Sequence, residues 1–391
     1  MTQISRRNFL IGAGAVATAG AISVTFDDLL ELNDRSGDND GPILVLVTMY
    51  GGNDGLNTVI PYSNNAYFDA RPGLSYRPEQ VLRLDDQLGL NPAMTGLAEM
   101  WQRRELAIVR GVGYPAPDRS HFRSMDIWQT ATPSDPSPTG WAGRWLDSTG
   151  SDPLMAVNIG PALPLLMCGE KGAAACLDPS SVNDSFLASL SAFSRRDRSD
   201  SASQALVRHA YRREQSARKA LSAAVKSTTV RPVMTLEDQL HLVAQCINAG
   251  LSTRIYSVAM SGFDTHADEL GQQQQLLKQF DTGMTSFLAK INTSKPVVVL
   301  AYSEFGRRVR ANASLGTDHG TSGPVFVLGQ GVNGGFYGDQ PSLTDLADGD
   351  LKTTTDFRAI YGEILDMALG ADPERILGGR IPEALGILAA T

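Results

Sequence analysis

Cysteine is scarce in this sequence, with three residues (Cys168, Cys176 and Cys246) in a chain of 391. So few thiols exclude a disulfide-stapled fold, although Cys168 and Cys176 are able to pair if the compartment is oxidising. Cys246 falls on the apolar face of a helical pattern, where a free thiol packs as a small hydrophobic side chain. The core must therefore come from ordinary apolar residues, and at 42% of the chain these are numerous enough.

A basic stripe and long hydrophobic runs are also missing. The formal net charge is −8, and no stripe of Lys and Arg interleaves with aromatic residues, so we expect no nucleic-acid partner. The uncharged stretch at residues 11–24 is rich in Gly and Ala, and it is too short and too poor in Leu for a stable membrane span. These absences favour a globular protein over a nucleic-acid-binding or integral membrane protein.

The first 24 residues have the pattern of an export signal. The twin arginines of Ser5–Leu10 (SRRNFL) precede the weakly apolar stretch, which is typical of the twin-arginine route. Small-x-small cleavage sites follow at 17–19 and 19–21, and loss of the two arginines would change the net charge from −8 to −10. We expect a periplasmic or otherwise exported protein that meets the twin-arginine translocation machinery. The alternative is an uncleaved amphipathic N-terminus.

Beyond a polar linker at 25–41, apolar runs rich in β-branched residues alternate with amphipathic helical patterns. This alternation predicts an α/β fold, doubly wound, with a largely parallel sheet and helices on both faces. We expect residues 42–391 to form a single domain, with a possible lid or insertion around 180–235. The predicted strands are Ile43–Met49, Leu106–Val112, Met155–Gly160, Leu163–Cys168, Arg254–Met260, Val297–Ala301 and Pro324–Leu328. The predicted helices are Asn91–Arg103, His121–Thr130, Ala202–Ser227, Leu236–Ala249, a long helix ending near Lys290, and Asp356–Leu369.

Acids and histidines recur just after these strands. Because the carboxyl ends of parallel strands meet at one edge of a sheet, we expect them to lie together. Carboxylates mixed with imidazoles suit a divalent ion, with zinc or manganese favoured and calcium or magnesium still open. The alternative is a set of helix caps and turn residues without an ion. The candidate metal ligands are Asp54, Asp264, His266, Glu304, Asp318 and His319.

Ser120 directly precedes the helix predicted at His121–Thr130. The positive end of the helix macrodipole beside a serine suits a nucleophile or a seat for an anion. The same position is also the commonest one for a purely structural capping serine.

The two other histidines, His209 and His241, lie on predicted helices, where we expect ordinary surface or core side chains.

Six stretches carry a resemblance to the domain of unknown function 1501 family, whose members are exported through twin-arginine signals. More distantly, their order is similar to that of the alkaline phosphatase, sulfatase and phosphoglycerate mutase superfamily, which implies an alkaline phosphatase-like fold. The stretches are Ser5–Leu10, Gly51–Asn57, Arg119–Phe122, Phe263–His266, Ser303–Arg307 and Asp318–Gly320.

The resemblance implies an exported metal-dependent hydrolase of phosphate or sulfate esters, acting on an anionic small-molecule or polymer ester. In this scheme Asp264, His266 and His319 hold the ion, and Ser120 attacks the phosphorus or sulfur. Asp54 and Glu304 hold a second ion or orient the first set of ligands. The groups assigned to the substrate are Arg119, Arg307 or Arg308 for the anion and His121 for the leaving group, unless His121 simply begins its helix.

The chain departs from the superfamily pattern at Phe305, which stands where a metal-binding histidine is expected. Glu304 stands in place of an aspartate, and Asp264 and His266 are two residues apart where that pair is more often four apart. One metal ion, an altered second site and an inactive centre all remain open. The alternative function is therefore a non-catalytic, metal-stabilised periplasmic or envelope binding protein with the same fold.

Overall fold

A central sheet draws its strands from nearly the whole length of the chain. A computed structural model describes residues 22–23, 41–135, 137–160, 162–177 and 234–389. Most of the predicted lid, the helix predicted at Ala202–Ser227, His209, and nearly all of the export signal and linker lie outside these residues. The strands are β1 Ile22–Ser23, β2 Ile43–Tyr50, β3 Val59–Ile60, β4 Leu82–Arg83, β5 Gly89–Leu90, β6 Leu106–Gly113, β7 Ala156–Ile159, β8 Ala175–Leu177, β9 Ile255–Ser261, β10 Val297–Tyr302, β11 Arg307–Ala311, β12 Thr317–His319, β13 Gly323–Gly329, β14 Gly335–Tyr337, β15 Leu346–Ala347, β16 Asp350–Leu351 and β17 Thr355–Asp356.

Nine α-helices are described alongside these strands. They are α1 Gly55–Thr58, α2 Asn65–Ala70, α3 Thr95–Gln102, α4 His121–Thr130, α5 Trp141–Ser148, α6 Leu236–Asn248, α7 Glu269–Lys290, α8 Phe357–Glu363 and α9 Pro373–Leu377. Short 3₁₀ turns occupy Pro153–Met155 and Leu165–Met167, and a π-helical turn at Ile364–Ala368 continues α8. Among the described helices, none combines the length and the apolarity that crossing a membrane requires.

The main sheet runs in the order β1-β8-β7-β9-β2-β10-β13-β6-β14, with β17 also paired to β6. Every neighbouring pair is parallel except the two made by β13, which is antiparallel to both β10 and β6. The prediction of a largely parallel α/β sheet is confirmed. Parallel strands buried on both faces read as continuous apolar runs, and all six residues of β10 are buried.

Helices cover both faces of this sheet, and successive side chains of each strand point to opposite faces. Val45 and Val47 of β2 pack into the cluster formed with α3, α6 and α7. Leu44 and Leu46 pack into the cluster formed with α4, α5 and α8. The sheet is therefore the middle layer of three, as the doubly wound pattern predicted.

The antiparallel direction of β13 determines where the connection from β10 runs. Because β10 ends and β13 begins at the same edge, all of residues 303–322 stay at the carboxyl edge of the sheet. This connection contains the antiparallel hairpin β11–β12, in which Arg307 lies opposite His319. The polar residues between the two strands are thus held at the edge where the other strand-end loops emerge.

Two sequence predictions differ from the structure, and one question that the sequence left open is answered. Leu163–Cys168 was predicted as a strand and is not one: it holds a 3₁₀ turn, and the Leu166 N–H donates to the side chain of Gln129 at 3.2 Å. The helix predicted from Asn91 begins at Thr95, because the Asn91 side chain accepts from the Ala93 N–H in a turn before the helix. Cys168 and Cys176 form no disulfide bond; their sulfurs lie 3.6 Å from the Pro164 carbonyl oxygen and 2.8 Å from the Gly160 carbonyl oxygen.

Candidate metal centre

Three loops at the carboxyl edge bring His121, Asp264 and His319 together. His121 begins α4, Asp264 follows the end of β9, and His319 ends β12. Their potential ligand atoms all lie within 4.8 Å of one another. The Asp264 Oδ1 is 3.1 Å from the His319 Nε2 and 3.4 Å from the His121 Nε2. His266 adds a third imidazole, with its Nε2 at 2.9 Å from the Asp264 Oδ1 and 3.0 Å from the His319 Nε2.

In two of these rings, the hydrogen-bond partner of Nδ1 determines which nitrogen carries the proton. The Nδ1 of His121 lies 2.8 Å from the Glu304 Oε1, and the Nδ1 of His319 lies 2.9 Å from the carbonyl oxygen of Arg119. Both partners are acceptors, so in the neutral rings the hydrogen bonds assign the proton to Nδ1 and the lone pair to Nε2. The Nε2 of His121 is buried and has no hydrogen-bond partner among the described residues. Lone pairs and a carboxylate at these distances form a set of donor atoms suited to a cation.

The buried carboxylate of Glu304 supports the ring of His121. It follows β10, is 1% exposed, and accepts from the Gly51 N–H at 2.9 Å and from the Ser303 hydroxyl at 3.0 Å. The hydrogen bond that His121 donates to Glu304 raises the pKa of His121, and this effect outweighs the partial burial of the ring. Because its oxygens accept from the protein itself, we assign Glu304 to orienting His121, where the sequence had made it a candidate ligand.

Arg307 connects the loops that surround Asp264. Partial burial alone would raise the pKa of Asp264, but the hydrogen bond and the charge of Arg307 help to lower it to about 2. The Arg307 guanidinium is fully buried, with its donors directed at neighbouring oxygens, so the suggestion that it binds a substrate anion is withdrawn. Those oxygens are the carbonyls of Gly52 (2.6 Å), Thr317 (2.8 Å), Phe263 (3.0 Å) and Gly51, and the Asp264 Oδ1 (2.7 Å).

Phe305 packs directly against the cluster. Its ring is 4% exposed, and its centroid lies 4.8 Å from that of His121 and 5.0 Å from that of His319. Gly52 makes room for it, since a Cβ at that position, where φ is +70°, would come 2.3 Å from the phenyl ring. Phe305 thus fixes the orientation of two imidazoles and takes up the space next to them.

Asp54 is not part of this centre. It is 1% exposed, and the fully buried Arg71 donates to both of its carboxylate oxygens, at 2.8 Å from Nη2 to Oδ1 and through a second bond from Nη1 to Oδ2. Asp54 also caps α1 by accepting from the Leu56 N–H at 3.3 Å. With a buried cation on both oxygens it has no free position for a metal ion, so we remove it from the candidate ligands.

Asp318 and Ser120 lie at the rim. Asp318 is exposed, accepts from the Asn312 amide at 3.2 Å, and has its Oδ1 3.5 Å from the His266 Nδ1, so it orients His266 from outside. Ser120 is exposed at the N-cap of α4 and makes no capping bond through its side chain. It stands between Arg119, whose carbonyl contacts His319, and His121, which places its backbone beside the cluster.

Sequence reasoning named the histidines of the cluster and left His121 between a role toward the leaving group and the start of a helix. His121 begins α4, and the geometry also makes it a candidate ligand. Sequence reasoning missed Arg71, which no local pattern connects to Asp54. A glutamate that ends a buried strand is a signal for Glu304, but nothing in the sequence distinguishes a ligand from the residue that orients one.

The family model described as "Protein of unknown function (DUF1501)" matches residues 180–381. The chain belongs to this family. The matched region contains Asp264, His266, Glu304 and His319 and excludes His121. No curated protein matches the chain.

Two solved structures are similar over most of the chain. One is a protein in the alkaline phosphatase superfamily from Vibrio parahaemolyticus, with 10% identity, a TM-score of 0.43, and coverage of 97% of this chain and 80% of that one. The other is the lipoteichoic acid synthase LtaP from Listeria monocytogenes, with 9% identity, a TM-score of 0.38, and coverage of 94% and 78%. TM-scores this low carry no conclusion about the site, and the α/β class rests on the sheet described above.

Proposed function

We propose that this protein binds one divalent metal ion through His121, Asp264 and His319, with His266 beside them, and hydrolyses phosphate or sulfate esters there. One observation carries the proposal: hydrogen bonds on the far side of two imidazoles direct their Nε2 lone pairs at a carboxylate. Two or three nitrogen donors with one oxygen donor suit zinc or manganese. Side chains of the cluster are 26% to 48% exposed, which leaves one side open to a substrate.

A bound ion would supply the positive charge that polarises an ester oxygen. The chain itself supplies the candidate nucleophile, Ser120, whose hydroxyl is exposed and not used as a helix cap. The N-terminus of α4 places a positive partial charge beside that oxygen, which favours an anionic group there. Arg307 keeps Asp264 ionised and therefore ready to act as a ligand.

A second candidate function, a non-catalytic metal-stabilised binding protein, is favoured by Phe305 and Arg307. These two side chains fill the space beside Asp264 and His319, so a second ion has no room there. A single ion joining three loops would stabilise the edge of the sheet without supporting turnover.

For either function we propose export by the twin-arginine route. Replacing both arginines, Arg6→Lys with Arg7→Lys, should retain the protein in the cytoplasm on cell fractionation. Unchanged export would overturn this proposal.

Turnover separates the two functions. Zinc- or manganese-loaded protein would be assayed on panels of aryl phosphates and aryl sulfates, with metal content measured on the same samples. We expect turnover that falls by about 1,000-fold or more in Ser120→Ala, as removal of a nucleophile does, with metal content unchanged. Ser314→Ala, an exposed serine at the same edge, is the matched control and should behave as the unmodified protein. Bound metal without turnover on any ester would reject the hydrolase and leave the binding protein.

A further inference from the structure

Strand β11 presents two adjacent arginines to opposite sides. Successive side chains of a strand alternate between its faces, so Arg307 and Arg308 point apart. Arg307 contacts Asp264 at the metal cluster, whereas Arg308 has its Nε 3.6 Å from the Oδ1 of Asp350. The surroundings of Arg308 are therefore distinct from the cluster, although the two are one residue apart in the chain.

Asp350 connects Arg308 to a second arginine. Its carboxylate is fully buried, and its Oδ2 accepts two bonds from Arg119, one at 2.7 Å from Nε and another from Nη2. Its Oδ1 has no hydrogen-bond partner in the described part of the chain, because the Nε of Arg308 is too distant for one. Both oxygens of this buried carboxylate face guanidinium groups, so Asp350 holds the two arginines in place.

Both arginines keep donors for such a ligand. The side chain of Arg119 is 40% exposed and that of Arg308 is 36% exposed. Within the described residues, neither Nη atom of Arg308 nor the Nη1 of Arg119 donates a hydrogen bond. Across the hairpin from Arg308, the carboxylate of Asp318 already accepts from Asn312 and faces His266. The carboxylate of Asp318 also interacts with the charge of Arg308, so the free guanidinium donors are what the two arginines offer a ligand.

We propose that Arg119 and Arg308, held by Asp350, form an anion subsite next to the metal cluster, for a phosphate or sulfate group other than the one attacked. Guanidinium groups recognise such oxyanions through paired hydrogen bonds. The carbonyl of Arg119 contacts His319, so the subsite lies beside the cluster and a single ligand is able to span both. This inference rests on the proposed hydrolase for its substrate class: esters that carry at least two phosphate or sulfate groups.

The subsite is tested with inorganic sulfate as the probe, titrated by calorimetry into metal-loaded protein at constant ionic strength. We expect Arg308→Gln to weaken sulfate binding by about 10-fold or more, the loss that follows removal of a charged hydrogen-bond donor. Arg310→Gln is the matched control, since it removes the same charge from an exposed position on the same strand. Metal content and the thermal midpoint should be unchanged in both variants. Equal binding by the two variants would overturn the subsite.

Turnover gives a second and separate measurement. If the protein hydrolyses esters, a bis-phosphorylated or bis-sulfated substrate should have a lower KM than its mono-ester, and Arg308→Gln should abolish that difference whereas Arg310→Gln should keep it. If no ester is turned over, the proposed hydrolase fails, while the sulfate titration still decides the subsite. If turnover occurs and Arg308→Gln changes neither sulfate binding nor KM, the subsite fails and the hydrolase stands.

Discussion

At the scale of single residues, the buried ion pair of Asp54 and Arg71 supports the loop that carries the candidate ligands. Arg71 is fully buried, and besides Asp54 it donates to the carbonyl oxygens of Arg308 at 2.8 Å and Val309 at 3.0 Å. It thereby ties α1 to strand β11, whose first residue anchors Asp264. The ion pair under the site is a structural support for the loop that carries the ligands.

Replacing Arg71 with Met should lower the free energy of unfolding by about 3–5 kcal/mol, because Asp54 would remain buried without its cation. Chemical denaturation measures this change. Arg77→Met is the matched control, since Arg77 pairs with Glu79 at the surface, where both side chains are more than half exposed. The control should change stability by less than about 0.5 kcal/mol. Equal effects of the two substitutions would contradict the structural role of Arg71.

Glu269 makes the stability of the fold dependent on pH. Burial and the nearby charge of Asp54 raise its pKa from 4.5 to about 9, while the Thr317 hydroxyl donates to it at 2.6 Å. Between those two values the folded protein keeps a proton that the unfolded chain has released, so this group lowers stability as pH rises from about 4.5 toward 9.

Glu269→Gln should therefore flatten the decline of unfolding free energy over that pH range. The amide keeps an acceptor for Thr317, but it does not titrate. Denaturation curves at several pH values between 5 and 9 compare the two proteins. A slope that is identical in the variant would show that Glu269 is not protonated in the folded state.

The residues show where prediction from sequence stops. Asp54 follows a buried strand just as Asp264 does, and the order of the chain cannot show that one carboxylate faces Arg71 and the other faces two imidazoles. Such pairings join residues far apart in sequence, and a single sequence leaves them undetermined. The residue types at strand ends predicted the location of the site, while the ligand roles required the geometry.

At the scale of elements, the site depends on how the loops after β2, β9 and β10 are fastened to one another. Glu304 connects β10 to Gly51 after β2 and to His121 at the start of α4, while Arg307 connects the same loop to Asp264. The long apolar runs predicted these strands with small shifts at their ends. Leu163–Cys168 was misassigned because a short apolar run with Pro164 suits a turn as well as a strand.

Glu304→Gln should weaken metal binding by about 10- to 100-fold, as loss of a group that orients a histidine ligand does. The carboxylate accepts from Gly51 and His121 through Oε1 and from Ser303 through Oε2. An amide keeps one acceptor oxygen for these donors and loses the negative charge that strengthens His121 as a ligand. Metal titration against a competing chelator measures the affinity, with Glu99→Gln, an exposed acid on α3, as the control. Unchanged affinity would mean that the ring of His121 is not positioned by Glu304.

At the scale of the whole molecule, the alternation of strands and helices predicted a three-layer α/β fold, and the described residues form one. The strand order and the antiparallel insertion of β13 did not follow from the sequence, because they depend on pairings between distant segments. That reversal keeps the connection between β10 and β13 at one edge, where it meets the loops from β6 and β9. The candidate metal centre is thus a consequence of topology as much as of residue type.

The metal content of the purified protein tests the central claim most directly. Elemental analysis by mass spectrometry should find about one zinc or manganese ion per chain, as a single set of ligands predicts. His319→Ala should lose that ion, whereas His241→Ala, which removes a histidine from α6 away from the cluster, should keep it. A protein that binds no divalent metal, or a His319→Ala variant that binds as much as the unmodified chain, would contradict the account.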